Sequence, residues 1–288
     1  MKFGLLATGY KGATLLNKLN TLPEFVVSYY NNEPDELEKI VKWCASNKVK
    51  FFSKKNFNED MFETVDKVFL VGWQYLVKTN LEKCLVLHDS FLPERRGFCP
   101  TVSALIDGQS YLGASCFIPT EDGDGYPDYG IVYAREKKSI NHPISIREAF
   151  DVVVDLYADI INNFDLSKKP IDVNYEDSTF SIWRDNNDLN IDWQKSSSSI
   201  VRQVLATGIP YQGSSTIYNH HRIRILDAIE IPDINVLQRQ HHCGKILKLV
   251  DKNPIVICGE GLIQITSAKY DTPIGQDVIF DSIRKRLG

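Results

Sequence analysis

Val68-Phe69-Leu70-Val71 is an unbroken apolar run, so both faces of the strand it predicts are water-avoiding, as in the middle of a parallel sheet. Working outward, similar runs predict strands at Lys2–Ala7, Phe25–Tyr30 and Val49–Ser53 on its N-terminal side and at Leu85–His88 on its C-terminal side. Between them lie amphipathic stretches, Gly12–Leu19 and Asp35–Ser46, that predict helices. Strands alternating with helices define an α/β layer architecture, a Rossmann-like, mostly parallel sheet with helices on its faces. A helix is expected after Pro100, a strand over Leu112–Ile118 and another from Ile131. Ser145 and Glu148 have capping-box spacing, and Ala149, Phe150, Val153, Leu156, Tyr157, Ile160, Ile161 and Phe164 then mark one apolar face of a long helix.

Past Phe164 the pattern breaks. Asp165–Asp177 is polar, carries a proline and lacks periodicity, and is expected to be a linker. The expected organisation is a first domain over 1–168, a linker over 169–180 and a β-rich domain over 181–288. In the last, Ile246–Val250 and Ile255–Cys258 flank the turn sequence Asp251-Lys252-Asn253-Pro254, Leu262–Ile265 follows a Gly-Glu-Gly break, and Ser196–Ser199 starts a short helix.

The 288 residues include 33 Lys and Arg against 37 Asp and Glu, a net charge of −4 with the signs interspersed, so no global field favours a polyanion and nucleic acid is not an expected partner. No apolar run reaches the roughly 18 residues of a membrane span, and the N-terminus lacks a secretory pattern. A cytoplasmic protein with no membrane partner is expected. The six cysteines contain no CxxC pair and several sit in apolar runs, which predicts buried, reduced thiols. The His220/His221 and His241/His242 pairs, taken as strand residues, would point to opposite faces and offer one ligand each, so no metal site is expected.

Two stretches carry chemistry. Val86-Leu87-His88-Asp89-Ser90-Phe91-Leu92-Pro93-Glu94-Arg95-Arg96-Gly97 ends an apolar strand, where open α/β sheets place their sites. Thr120 leads into the acidic, glycine-rich Glu121-Asp122-Gly123-Asp124-Gly125-Tyr126-Pro127-Asp128-Tyr129-Gly130, followed by the strand-like Ile131-Val132-Tyr133. The spacing of Asp122, Asp124 and Asp128 is not that of an EF-hand loop. After the first strand, Thr8-Gly9-Tyr10-Lys11-Gly12 is neither a dinucleotide nor a Walker motif, but it places backbone amides and Lys11 where a helix N-terminus takes a phosphate.

Together these stretches resemble the 10-formyltetrahydrofolate-dependent formyltransferases, which include glycinamide ribonucleotide transformylase, methionyl-tRNA formyltransferase and the sugar N-formyltransferases. His88, Ser90, Leu92, Pro93, Arg96 and Gly97 match the first element of the family pattern, Asn-x-His-Pro-Ser-Leu-Leu-Pro-x-aromatic-Arg-Gly. Asp128, Gly130 and Val132 match the second, with Asp128 forty residues beyond His88. Asn190-Ile191-Asp192-Trp193 with Pro210-Tyr211-Gln212-Gly213 looks like the opening of the family's β-rich C-terminal domain. The chain departs from the pattern at Val86, where the family has Asn, at Asp89, where it has Pro, and at Arg95, where it has an aromatic.

The resemblance implies a fold, a co-substrate and roles. 10-Formyltetrahydrofolate is the expected donor, with no metal. His88 would serve the developing oxyanion and Asp128 would be its partner and base, with Ser90 and Asp124 as auxiliary candidates. Gly72, Trp73, Gln74, Tyr75 and Leu76, with Val86 and Leu92, would line the folate pocket. Gly9, Tyr10, Lys11, Arg96 and Gly97 would meet the acceptor. Residues 171–288 carry 13 Lys and Arg against 14 Asp and Glu, so the expected acceptor is an amino sugar, nucleotide-linked and used for surface polysaccharide. Methionyl-tRNA and a folate- or nucleotide-binding protein without catalysis remain the alternatives, and a homodimer is left open.

Overall fold

A computed structural model describes residues 1–31, 33–120, 123–271 and 275–288. Contacts divide the chain into two compact units, one of Met1–Thr101, Tyr111–Ser139 and Ala149–Ile182, the other of Val102–Ser110, Ile140–Glu148 and Trp183–Gly288.

In the first unit the strands are β1 (Phe3–Ala7), β2 (Phe25–Ser28), β3 (Lys50–Ser53), β4 (Lys67–Val71), β5 (Cys84–His88), β6 (Arg96–Gly97), β7 (Tyr111–Pro119), β8 (Gly130–Ser139) and β9 (Phe180–Ser181). Seven form one sheet in the order β3-β2-β1-β4-β5-β7-β8. The first five run parallel, whereas β7 pairs antiparallel with both β5 and β8. Helices α1 (Gly9–Leu16) and α2 (Pro34–Asn47) make the crossovers, and most of α4 (Ile146–Asn162) packs on the sheet. The sheet is thus α/β and mostly parallel.

The two faces of β4 explain the opening run. Val68 and Leu70 join Leu6, Phe25, Val27 and Phe62 in one cluster, while Phe69 turns to the other face and meets the rings of Phe3 and Phe164 edge-on at 5.5 Å. Each such buried side chain contributes about 1.5–3 kcal/mol, and a strand buried twice has no polar face to set an alternation. Helix α1 begins at Gly9 rather than Gly12, because Gly9 takes φ +63° and lets the chain turn directly from β1 into the helix.

The second unit holds most of α3 (Pro100–Asp107), α5 (Ser197–Thr207) and an antiparallel sheet of β10 (Ser214–Tyr218), β11 (His221–Ile231), β14 (Leu262–Tyr270), β13 (Asn253–Ile257) and β12 (Ile246–Val250) in that order. Its core gathers Trp193, Ile200, Val204, Tyr218, Ile225 and Ile263, and the Trp193 indole donates to Thr216 Oγ1 at 3.1 Å. Ser196 caps α5 by accepting from Ser199 N. The turn between β12 and β13 is Asp251-Lys252, both at positive φ, as a tight hairpin between twisted strands requires.

Three expectations are corrected. His220 is not in a strand: with Asn219 it forms the left-handed turn between β10 and β11, and His241 lies in a single 3₁₀ turn. Cys99 is exposed, because it sits at φ +48° in the link to α3, while the other five thiols are buried. The expected linker over 169–180 is tied at two points to the first unit. Ile171 N donates to Val132 O at 2.7 Å and β9 pairs with β6, so this segment straps the first unit. Among the described residues, no helix is long and apolar enough to cross a membrane.

Candidate active site

The parallel order β1-β4-β5 brings three strand ends side by side. Gly9, Tyr10 and Lys11 follow β1, Gly72 to Leu76 follow β4, and His88 closes β5, so residues far apart in sequence share the carboxyl edge of one sheet.

His88 is 7 % exposed, with Nε2 3.1 Å from the carbonyl of Arg95. A carbonyl only accepts, so Nε2 carries a proton and Nδ1 is the nitrogen left to gain or lose one. Nδ1 lies 3.6 Å from Asp128 Oδ2, too long for a hydrogen bond and close enough for an ion pair. Asp128 itself is held by the Gly97 amide, which donates to the same Oδ2 at 2.8 Å. Gly97 has φ +101°, and a Cβ there would stand 2.6 Å from the Ser181 carbonyl, so glycine permits both the turn and the donated amide.

The loop after β5 is fastened from below. Ser115 on β7 donates to Ser90 O at 2.7 Å and accepts from Leu92 N at 2.9 Å. The Arg135 guanidinium caps the Leu92 carbonyl. Gly113 makes room: a Cβ at that position would fall 2.5 Å from Phe91 N. Gly113→Ala is therefore expected to push this loop off β7, lowering stability by about 1–3 kcal/mol, or several degrees in a thermal melt of the whole chain. An unchanged melting temperature would show that the loop does not need the contact.

Several residues expected to face ligand are committed elsewhere. Arg96 is fully buried and donates to both Asp124 oxygens at 2.6 and 2.8 Å, to the carbonyls of Pro127 and Tyr126 at 2.8 and 3.2 Å, and to Ser178 Oγ at 3.1 Å. It builds the acidic loop rather than meeting an acceptor. Asp124 is correspondingly a structural anion, its carboxyl held at about 2 mainly by the hydrogen bond from Arg96, while Asp128 is the carboxylate at His88. Glu121 and Asp122 lie outside the described residues. The Ser90 hydroxyl donates to Glu94 O at 2.6 Å within its own turn, which removes it as a replacement for the donor missing at Val86.

The expected folate wall divides in two. Trp73 packs against the cluster under β4 and meets Tyr29 edge-on at 5.2 Å, while Gln74 is exposed and Tyr75 and Leu76 are 45 % and 82 % exposed. Gly72 sits at φ +63°, Val86 is half-buried and Leu92 is fully buried with Phe117 and Val132. Aromatic and apolar side chains open to solvent beside a strand end suit a flat heterocycle with a polar tail.

Asp89 was read from sequence only as a departure from the family pattern and was given no role. Its carboxylate pairs with Lys11 Nζ, accepts from Tyr157 Oη on α4 and from Thr101 Oγ1 at 3.1 Å. Burial pushes this carboxyl up, but Lys11 and Tyr157 outweigh it and hold it below the usual carboxylate range. An Asp in place of the family's Pro was the available signal. Tyr175 was also missed: its hydroxyl donates to Gly130 O at 2.9 Å and its ring lies 4.3 Å from that of Tyr129, bracing the loop that ends at β8.

Residues 185–273 match the formyl transferase C-terminal domain. The methionyl-tRNA formyltransferase of Acetivibrio thermocellus is 25 % identical over 197 residues, covering 66 % of this chain and 60 % of that protein. The match thus spans about three-fifths of that relative's length. Among solved structures, HypX from Aquifex aeolicus in complex with tetrahydrofolic acid aligns with a TM-score of 0.66 and 13 % identity, over 97 % of this chain and 46 % of HypX. The N-formyltransferase from Helicobacter canadensis, in complex with folinic acid and dTDP-3-aminofucose, aligns with a TM-score of 0.64 and 14 % identity, over 96 % and 100 % of the two chains. The fold is that of the formyltransferases. With its C-terminal domain match and its sequence relatives, the chain is similar to the formyltransferases in sequence as well as in fold.

Proposed function

We propose that this protein transfers a formyl group from 10-formyltetrahydrofolate to the amine of an amino sugar, nucleotide-linked and destined for surface polysaccharide. The observation that carries the reading is the His88–Asp128 pair, 3.6 Å apart at the carboxyl end of β5. Formyl transfer needs a neutral amine to attack the formyl carbon, a donor for the oxygen on which charge develops, and a base for the proton that the amine loses. With Nε2–H directed at Arg95 O, His88 takes its second proton on Nδ1 beside the Asp128 carboxylate, and the resulting imidazolium is the donor. Asp128, oriented by the Gly97 amide, accepts the amine proton directly or through water as the tetrahydrofolate nitrogen leaves and is reprotonated. Val86 has no donor to add, and one absent oxyanion donor typically costs on the order of 100-fold in rate, so this enzyme relies on His88 and backbone amides. The exposed Tyr75 and Leu76 beside Trp73 suit the pterin, and family relatives solved with tetrahydrofolic or folinic acid support that ligand.

The Acetivibrio relative keeps methionyl-tRNA as the second reading. Charge argues against it. The 13 and 14 charges of residues 171–288 nearly cancel, which gives that region no net attraction for a polyanion. Of the two local basic clusters there, Arg222/Arg224 and Arg284-Lys285-Arg286, the first has Arg224 buried and bonded to Asn186 and Asp271 at 2.7 and 2.9 Å. The test is tetrahydrofolate release from 10-formyltetrahydrofolate with nucleotide-linked amino sugars, with formyl-accepting tRNA and with no acceptor. Sugar-dependent release is expected. Release driven only by tRNA, and steeply lowered by salt, would replace the sugar with tRNA. Folate binding without release for any acceptor would leave a binding protein that has lost its chemistry.

A further inference from the structure

The turn that starts α1 has the parts of a phosphate site, namely a glycine at positive φ, helix N-terminal amides and a lysine, yet this chain fills it with its own carboxylates. Glu33 Oε2 accepts from the Tyr10 amide at 3.0 Å. Asp151 Oδ1 accepts from the Tyr10 hydroxyl at 2.5 Å. Asp89 holds the Lys11 ammonium and is itself secured by Tyr157 and Thr101. We propose that Asp89 determines acceptor specificity by closing this turn to phosphate, so that the acceptor meets the turn with an uncharged, hydroxyl-bearing part and its anionic group is held elsewhere. The proposal rests on the proposed function, with the turn at Gly9–Lys11 as part of the acceptor site.

The physical grounds are charge and position. An incoming phosphate would have to displace Glu33 from the Tyr10 amide and compete with Asp89 for Lys11, while like charges at 33, 89 and 151 repel it. The Asp89 carboxylate keeps its charge at neutral pH, because the Lys11 and Tyr157 contacts outweigh its burial. Lys11 keeps 17 % of its side chain exposed, and its flexible stem can turn to solvent once the partner charge is gone. For a nucleotide-linked amino sugar the sugar ring therefore lies at this turn and the diphosphate beyond it.

The test titrates inorganic phosphate against the full chain without donor or acceptor, following binding by calorimetry and by chemical shifts near Lys11. Wild type is expected to bind weakly, and Asp89→Asn, which keeps an acceptor for Tyr157 and removes the charge, about tenfold or more tightly. Adding Lys11→Met to Asp89→Asn should abolish the gain. Equal binding by wild type and Asp89→Asn, or a gain that survives loss of Lys11, would overturn the proposal. Should Asp89→Asn fail to fold, Lys11→Met alone decides: unchanged phosphate binding is expected, and a loss would show that wild-type Lys11 already takes the anion. Phosphate binding is read without turnover, so these outcomes stand apart from whether formyl is transferred.

Discussion

His88→Ala is expected to lower formyl transfer by about a thousandfold or more, because it removes the ring donor and the nitrogen that faces Asp128, and no side chain at Val86 compensates. Asp128→Asn should do comparable damage: it keeps an oxygen for the Gly97 amide and removes the charge that faces Nδ1. The two residues act as one unit, so His88→Ala with Asp128→Asn is expected to cost little more than either alone. Single-turnover rates with saturating donor measure this, alongside thermal melts that report whether the chain still folds. Activity within a few-fold of wild type in either single variant would remove that residue from its role.

The second large effect is expected at Arg96. This side chain is fully buried, donates five hydrogen bonds and lies 5.1–5.5 Å from the rings of Tyr129, Tyr175 and Phe180. Arg96→Met leaves the Pro127 and Tyr126 carbonyls without their donor and releases the loop that positions Asp128. A loss of about 3 kcal/mol in stability is expected, with a fall in rate of about a hundredfold while donor affinity holds. Arg96→Lys should recover little, since an ammonium cannot make the two parallel bonds to Asp124. Unfolding curves and kcat against KM for the donor separate the outcomes. A variant as stable and as fast as wild type would mean that the loop is held by the 175–180 strap alone.

The sequence by itself determined the layers and singled out His88 and Asp128, which the fold brings 3.6 Å apart. Runs such as Val68–Val71 suit strands buried on both faces, as in the middle of a parallel sheet, and that pattern is local, so the strands before His88 and the helix from Ala149 were legible in it. The His88 and Asp128 motifs were legible too, because each lies within one short segment. Tertiary structure alone decided what the flanking charges do. Arg96 and Lys11 read as ligand-facing cations, but folding brings them to Asp124 and Asp89. The same holds for the polar stretch 171–182, whose partners Val132 and Arg96 are far away in the chain. A buried charge takes whichever counter-charge the fold places beside it, and that pairing depends on strand order and loop path rather than on neighbours in sequence.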